Sequence, residues 1–355
     1  MSQTVPRIFR GACCFFCVLL LVSAVFSAAV ATTVKISFAG DCTLGADQRW
    51  YNTPRSYIKV IEKEGMAYPF SLVKPLFEQD DLTMVNLEGV FKNNAGDKRP
   101  NVMYNFRAPT TFAEILRQGD IELVNLANNH TLDFGRRGFQ STVDALAEVG
   151  VNYCIDQTVY YFEKEGVKIA FLGFSRYSFR THRQWVKENL PDIRKNKADF
   201  VIVNLHSGNE YSTMISPVMQ RDIAYELIDY GADLIIGHHP HVLQGMEIYN
   251  NKPILYSIGN FSFGGNWSLN LESLDTVIVQ ADIEFDEQGF LSQQITFFPA
   301  HSSGTTEYND YRPLLVGGEA ADQVIAKIQK GTDFPLNPYV KGVGAVQEKL
   351  VEPRK

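Results

Sequence analysis

Ile235-Ile236-Gly237-His238-His239-Pro240-His241 places three histidines within four residues, directly after an apolar run that reads as a buried strand. Only seven histidines occur in the chain. Two histidines at i and i+2 in extended backbone at a strand end can point into one pocket, as a transition-metal site requires. Two others repeat the context. His130 follows Ile121-Glu122-Leu123-Val124-Asn125-Leu126-Ala127-Asn128-Asn129, and His206 follows Phe200-Val201-Ile202-Val203-Asn204-Leu205. Three strands that each run into histidine imply one shared site at one edge of a sheet.

The 355 residues are 45% hydrophobic and 21% charged, an ordinary globular composition. It predicts one large α/β domain, or one domain with a small appendage. The formal net charge of −7 argues against nucleic acid as a partner, since phosphates call for a basic face. It argues equally against a polybasic grip on anionic lipid. Residues 1–31 read as a targeting segment: Arg7 and Arg10 precede an apolar run from Gly11 to Val30. Ser27-Ala28-Ala29 and Ala29-Val30-Ala31 both fit a small-x-small cleavage pattern. The run is also about long enough to span a bilayer as an uncleaved anchor. Either outcome predicts an exported, extracytoplasmic protein that is membrane-anchored, periplasmic or secreted. Removing the segment leaves Cys42 and Cys154, read as two separate buried thiols.

Strands and helices alternate after residue 33. Val34–Ala39, Leu82–Leu87, Ile121–Ala127, Phe200–Leu205 and Leu234–Ile236 read as strands. Ser56–Glu64, Phe112–Gln118, Gly138–Val149, Val218–Tyr230 and Ala321–Gln329 read as helices, most with glycine as the stop signal. Hairpins are expected around Glu165-Gly166, Asn250-Asn251 and Asp286–Gly289. The early part therefore looks parallel with crossover helices, and the later part hairpin-rich. One mixed sheet, or two sheets packed face to face with outer helices, accommodates both.

Polar residues close these strands in a repeated way. Asp41 ends the first, Asn86 and Glu88 the second, and Asn128, Asn129, His130 and Asp133 the third. His206 and Glu210 follow the fourth, and His238, His239 and His241 the fifth. Ligands of open α/β sheets bind beyond the carboxyl ends of the strands. Carboxylate, amide oxygen and imidazole form a mixed set suited to manganese, iron or zinc. A carboxylate between two such positions can bridge a pair of ions. His238 is expected to be a hydrogen-bonded loop residue, with its side chain directed away from those of its neighbours. His182 and His301 fall outside the constellation.

Six stretches in this order resemble the CapA family, the capsule and poly-γ-glutamate synthesis proteins. They are Ala39-Gly40-Asp41 with Leu44-Gly45, Val85–Gly89, Ala127–Gly135, His206–Tyr211, Gly237–Gln244 and Tyr256–Phe261. The resemblance runs from about residue 34 to about 300 and implies a metallophosphatase-like four-layer α-β-β-α sandwich with mixed sheets. Residues 32–300 would form that domain, and 301–355 a C-terminal extension packing on it. The resemblance further implies two divalent metal ions, with Asp41, Glu88 and His241 at one, Asn129, His206 and His239 at the other, and Glu88 as the bridge. His130 would face substrate as proton donor or oxyanion stabiliser, oriented by Asp133. Asn128, Glu210 and Asn260 are expected to line the substrate pocket. The chain departs from the family pattern twice: Thr43 stands where a histidine ligand is usual, and Ser207 where an aromatic residue is usual.

Two functional readings follow from the resemblance. One is a hydrolase-type site acting on a phosphoester or γ-glutamyl amide, in the service of capsule or poly-γ-glutamate production. The other is a non-catalytic scaffold that binds anionic polymer beside a membrane capsule synthase complex. A phosphoesterase unrelated to capsule remains compatible with the same residues.

Overall fold

The computed structural model describes Met1 and residues 32–353, so the targeting segment read above lies outside the described residues. Among those described, no helix is long and apolar enough to cross a membrane. In chain order the principal elements are β1 (Thr32–Cys42), α1 (Tyr57–Glu64), β2 (Leu82–Leu87), α2 (Glu114–Gln118), β3 (Leu123–Asn125) and α3 (Gly135–Val149). Then come β4 (Asn152–Cys154), β5 (Tyr160–Lys164), β6 (Val167–Ser175), α4 (Arg176–Asp192), β7 (Phe200–His206), α5 (Asp222–Asp229) and β8 (Leu234–His238). The chain continues through β9 (Met246–Tyr249), β10 (Lys252–Leu255), β11 (Asp275–Asp286), β12 (Gly289–His301) and α6 (Glu319–Gln329).

Two mixed sheets result. The first runs β12-β11-β1-β2-β3-β4, and the second β9-β10-β8-β7-β6-β5. In the first, β1 to β4 are parallel and β11 and β12 add antiparallel. In the second, β6, β7, β8 and β10 are parallel, and β5 and β9 close the two edges as antiparallel hairpins. Short pairings of Leu314–Leu315, Ala345–Val346 and Leu350–Val351 extend the first sheet along β12.

Alternation along the strands sets the layers. Phe38, Met84 and Leu123 of the first sheet share one core with Phe171, Ile202 and Ile236 of the second. The opposite faces are covered separately. Ala39, Val85 and Val124 pack on Ile58, Ile61, Leu116 and Leu146 of the helices α1 to α3. Val201, Val203 and Ile235 pack on Val186, Leu190 and Leu227 of α4 and α5. The four layers α-β-β-α are therefore present, with the sheets face to face.

Local chemistry explains most boundaries. Ser56 accepts from the Lys59 N–H to start α1, and Gly150 ends α3 at φ 74°. The unanticipated element is α4. A Ser175–Ser178 capping box starts it, but only Phe179, Val186 and Leu190 are buried along its seventeen residues. So sparse an apolar stripe carries little period. Val218–Tyr230 is also not one regular helix: a wider π turn at Pro217–Arg221 precedes α5. Cys42 and Cys154 are separate buried thiols, as expected.

At the edge remote from the histidines, Asp80 is half-buried before β2 and accepts from the Thr83 hydroxyl at 2.8 Å. Burial, with Glu122 and Asp120 nearby, lifts its carboxyl from 3.8 to about 7. A carboxyl raised in the fold favours the folded state at low pH. That contribution is full below the unfolded value and disappears as pH rises through about 7. Asp80→Asn should therefore flatten the fall in melting temperature between about pH 4 and pH 7. Parallel thermal melts of parent and variant measure it; identical slopes would remove the assignment.

Candidate metal centre

Strand parity gathers the polar residues. On β2, Leu82 and Met84 face the inter-sheet core, so Asn86 does too; on β3, Leu123 is followed by Asn125. On β7, Phe200 and Ile202 lead to Asn204 and His206, and on β8, Leu234 and Ile236 lead to His238. Asp41 breaks the simple count. Phe38 faces inward and Ala39 outward, so strict alternation would send Asp41 outward. The β1–β2 register shifts between Ala39 and Asp41, and Asp41 aligns with Asn86. Gly40 is the extra residue of this bulge, and the bulge restores Asp41 to the inner face. Only glycine fits there: a Cβ would lie 2.0 Å from the Gly259 carbonyl oxygen. That close segment is bonded to β1 on both sides, Asp41 N to Gly259 O and Phe261 N to Asp41 O.

An amide chain fixes Asp41. Asn125 Nδ2 donates to Asn86 Oδ1 at 2.8 Å, and Asn86 Nδ2 to Asp41 Oδ1 at 2.7 Å. The His239 N–H donates to Asp41 Oδ2 at 3.2 Å, and His241 Nδ1 stands 3.3 Å from the same oxygen. Asn260 Oδ1 lies 2.9 Å from His241 Nδ1. His206 Nε2 lies 2.7 Å from Asn129 Oδ1 and 3.6 Å from Glu88 Oε1, and its ring centroid is 4.7 Å from that of His239.

Glu88 sits at the centre and is fully buried. Neither of its carboxylate oxygens has a hydrogen-bond partner. An isolated buried carboxylate costs several kcal/mol unless a cation meets it. Burial, then Asp41, Glu210 and Asp133, push its pKa well above the usual carboxylate range. Burial acts on Asp41 in the same direction, yet His238 and His241 hold that carboxyl well below the usual range. Burial and then His239 keep His206 neutral far below the normal imidazole value. Burial and the charge of His241 lower His239 to about 4. The neutral imidazoles of His206 and His239 are in the state a metal ion takes as ligands, and an ion bound beside Glu88 would displace the proton that burial leaves on its carboxyl.

Three groups of donor atoms lie within 4.8 Å of one another: Asp41–Glu88–His241, Glu88–His206–His239, and Glu210–His239–His241. These residues could hold metal. His130 stands beside them, with Nδ1 2.8 Å from Asp133 Oδ2 and Nε2 3.9 Å from Glu88 Oε1. Asp133 Oδ2 also accepts from the Phe106 N–H at 2.7 Å, which immobilises it. Asn128 spends its amide on the turn, donating to Leu87 O and accepting from the His130 N–H. Asn260, Glu210, His130 and His241 line a cavity of about 170 Å³ walled by Tyr104 and Phe106. Thr43 Oγ1 is held by Gly264 N and O, each at 3.2 Å. Cys42 faces the outer core, where burial pushes its thiol pKa up.

His238 corrects the expectation placed on it. Its side chain enters the inter-sheet core from the end of β8 and meets the same Asp41 carboxylate as His241. It is buried, with Nδ1 3.4 Å from Asp41 Oδ1 and Nε2 3.4 Å from Asn204 Oδ1. Asn125 and Asn204 are likewise absent from the expected constellation, which includes Asn86. Counting parity from the apolar residues before each finds His238, Asn125 and Asn204.

Known proteins match this chain. A model of the family described as bacterial capsule synthesis protein PGA_cap matches residues 35–265. The PGA biosynthesis protein CapA of Bacillus subtilis (strain 168) is 30% identical over 278 residues, 72% of this chain and 69% of that protein. The capsule biosynthesis protein CapA of Bacillus anthracis is 30% identical over 272 residues, 70% of this chain and 63% of its own length. The match thus spans just over two thirds of the first relative and just under two thirds of the second. Among solved structures, the calcineurin-like phosphoesterase YfkN from Bacillus subtilis superposes with a TM-score of 0.47 at 14% identity, covering 85% of this chain and 97% of that one.

Glu88→Gln keeps the shape and removes the cost of either protonating the carboxyl or burying it charged. In chelator it should gain on the order of 1–3 kcal/mol of unfolding free energy over the parent. Added manganese or zinc should stabilise the parent and not the variant. Urea titrations with and without metal measure both, and a variant less stable than the parent in chelator would refute the unmatched-carboxyl account.

Proposed function

This chain belongs to the bacterial capsule synthesis protein family, matched over residues 35–265, and from that premise we propose that it is an exported, metal-dependent hydrolase-type component of capsule or poly-γ-glutamate production. The observation that carries the reading is Glu88, a fully buried carboxyl without a hydrogen-bond partner beside His206 and His239, whose imidazoles burial keeps neutral. Asp41, Glu88 and His241 would hold one divalent ion, and Asn129, His206 and His239 the second, with Glu88 shared. The mixed oxygen and nitrogen donors fit manganese, iron or zinc. The chemistry such ions supply when bound is polarisation of an acyl or phosphoryl oxygen and acidification of water.

The chain's own residues account for the rest. The Asp133 carboxylate accepts from His130 Nδ1–H, which leaves Nε2 facing the centre to take a proton as a base and, in the imidazolium so formed, to return it to a departing group or an oxyanion. Phe106 and Phe263 pack on the rings of His130 and His241 and keep water from their flanks. Asn260 holds His241 and borders the cavity where substrate would lie. Arg176 lines the other side of the centre with Asn129, His206 and His239. Among the described residues its side chain meets Met219 and Tyr177 and no carboxylate. A cation so placed suits an anionic polymer or a phosphorylated or γ-glutamyl substrate. The site would act outside the cytoplasm, beside a membrane synthase complex.

The scaffold reading keeps one point in its favour: the Thr43 hydroxyl is committed to Gly264, so the Asp41 position has one donor fewer than the family pattern suggests. Elemental analysis of the purified full chain decides the metal. About two ions in the parent and a clear loss in His239→Ala are expected. His130→Gln should keep the metal and lose about 10²–10⁴ in turnover of a phosphoester or γ-glutamyl amide. A deletion strain rescued equally by the parent and by His239→Ala would overturn the catalytic reading in favour of the scaffold.

A further inference from the structure

We propose that Glu210 is a metal ligand rather than a substrate contact, completing the Asp41–Glu88–His241 position as a divalent-cation site of three carboxylates and one imidazole. The inference rests on the metal reading above. Its ground is that a Glu210 oxygen and one nitrogen each of His239 and His241 lie within 4.8 Å of one another. His239 also belongs to the group with Glu88 and His206, and His241 to the group with Asp41 and Glu88. Glu210 therefore stands over the junction of the two positions. The His239 position already has Glu88, Asn129 and His206; the His241 position has only Asp41 and Glu88, so the vacancy is on that side.

The loop after β7 is built to keep Glu210 there. Its first residue, Ser207, donates its N–H to His238 O at 3.0 Å. Tyr211, next to Glu210, donates its N–H to Pro240 O at 2.8 Å and sets its ring 5.8 Å from that of His241. Gly208 at φ 132° lets the loop lie against the histidine turn, since a Cβ there would come 3.0 Å from Pro240 Cγ. The loop is latched to the histidine segment on both sides of Glu210. The neighbouring hydroxyl of Thr43 is spent on Gly264 and offers no competing donor.

The two positions then differ in kind. Asp41, Glu88, Glu210 and His241 form an oxygen-rich, strongly anionic site, which favours a hard ion such as manganese. Glu88, Asn129, His206 and His239 carry two imidazoles and suit iron or zinc.

The test is manganese titration of the metal-stripped full chain, read by bound-ion count and by electron paramagnetic resonance. The parent should bind two ions and give the spectrum of a coupled pair. Glu210→Gln should weaken one ion by at least about tenfold and give the spectrum of an isolated ion. Its melting temperature in chelator should match the parent's, because Glu210 is on the surface. Glu210→Asp should recover part of the lost affinity. Two ions bound by Glu210→Gln with parental affinities would overturn the assignment while leaving the metal reading intact. Loss of both ions together would overturn the assignment to one position. A parent that binds no manganese, iron or zinc would overturn the metal reading and this inference with it.

Discussion

A carboxylate at the centre of the molecule, Glu88, is enclosed by protein and answered by no donor. Much of the surrounding architecture reads as the means of tolerating it. His206 and His130 approach one of its oxygens at 3.6 and 3.9 Å, too far for a hydrogen bond. The amide of Asn86, the nearest strong donor on the same strand, is turned to Asp41 instead. Donors that could have met Glu88 are thus committed elsewhere, and its carboxyl, held well above the usual carboxylate range, is left for a cation to ionise.

Holding that arrangement strains the backbone. His239 and His241 adopt φ of 98° and 60°, in the left-handed region that non-glycine residues avoid. Such positions cost about 1–3 kcal/mol each. The strain is offset locally: the His239 N–H reaches Asp41, and Pro240 O receives the Tyr211 N–H. Without these φ values, two histidines so close in sequence would not serve two adjoining donor groups. The Gly40 bulge performs the matching adjustment on β1, so both sheets depart from regular geometry where they meet.

The sequence made the architecture legible because its apolar runs are long and its stop signals strong. Leu82–Leu87 and the Gly65, Gly119 and Gly150 terminations are found as expected. The helix α4 escaped because its exposed face is polar nearly all round, so packing rather than pattern keeps it in place. At the site, the residues whose chemistry is unusual in a strand end, histidine and acid, are visible at once. Asn125 and Asn204 are not, because a lone Asn in an apolar run reads as an interruption until its parity is compared with that of adjacent strands. His238 escapes the sequence for a related reason: its neighbours in space come from β1 and β7, not from the adjacent residues. The pairing of Glu210 with two histidines depends on a loop conformation that no periodicity encodes.

The donors come from both sheets, and the contact between His239 and Asp41 joins residues 198 apart in the chain. No amino-terminal fragment can assemble the centre; β7 and β8 must already be docked on β1 and β2. The site therefore exists only once segments 198 residues apart in the chain have docked. Which ion fills it is then decided by the medium in which the polypeptide finishes folding. A chain that crossed a membrane unfolded would be metallated from the pool on the far side, whatever the cytoplasm held, so its metal identity would be a record of the place of maturation as much as of ligand preference.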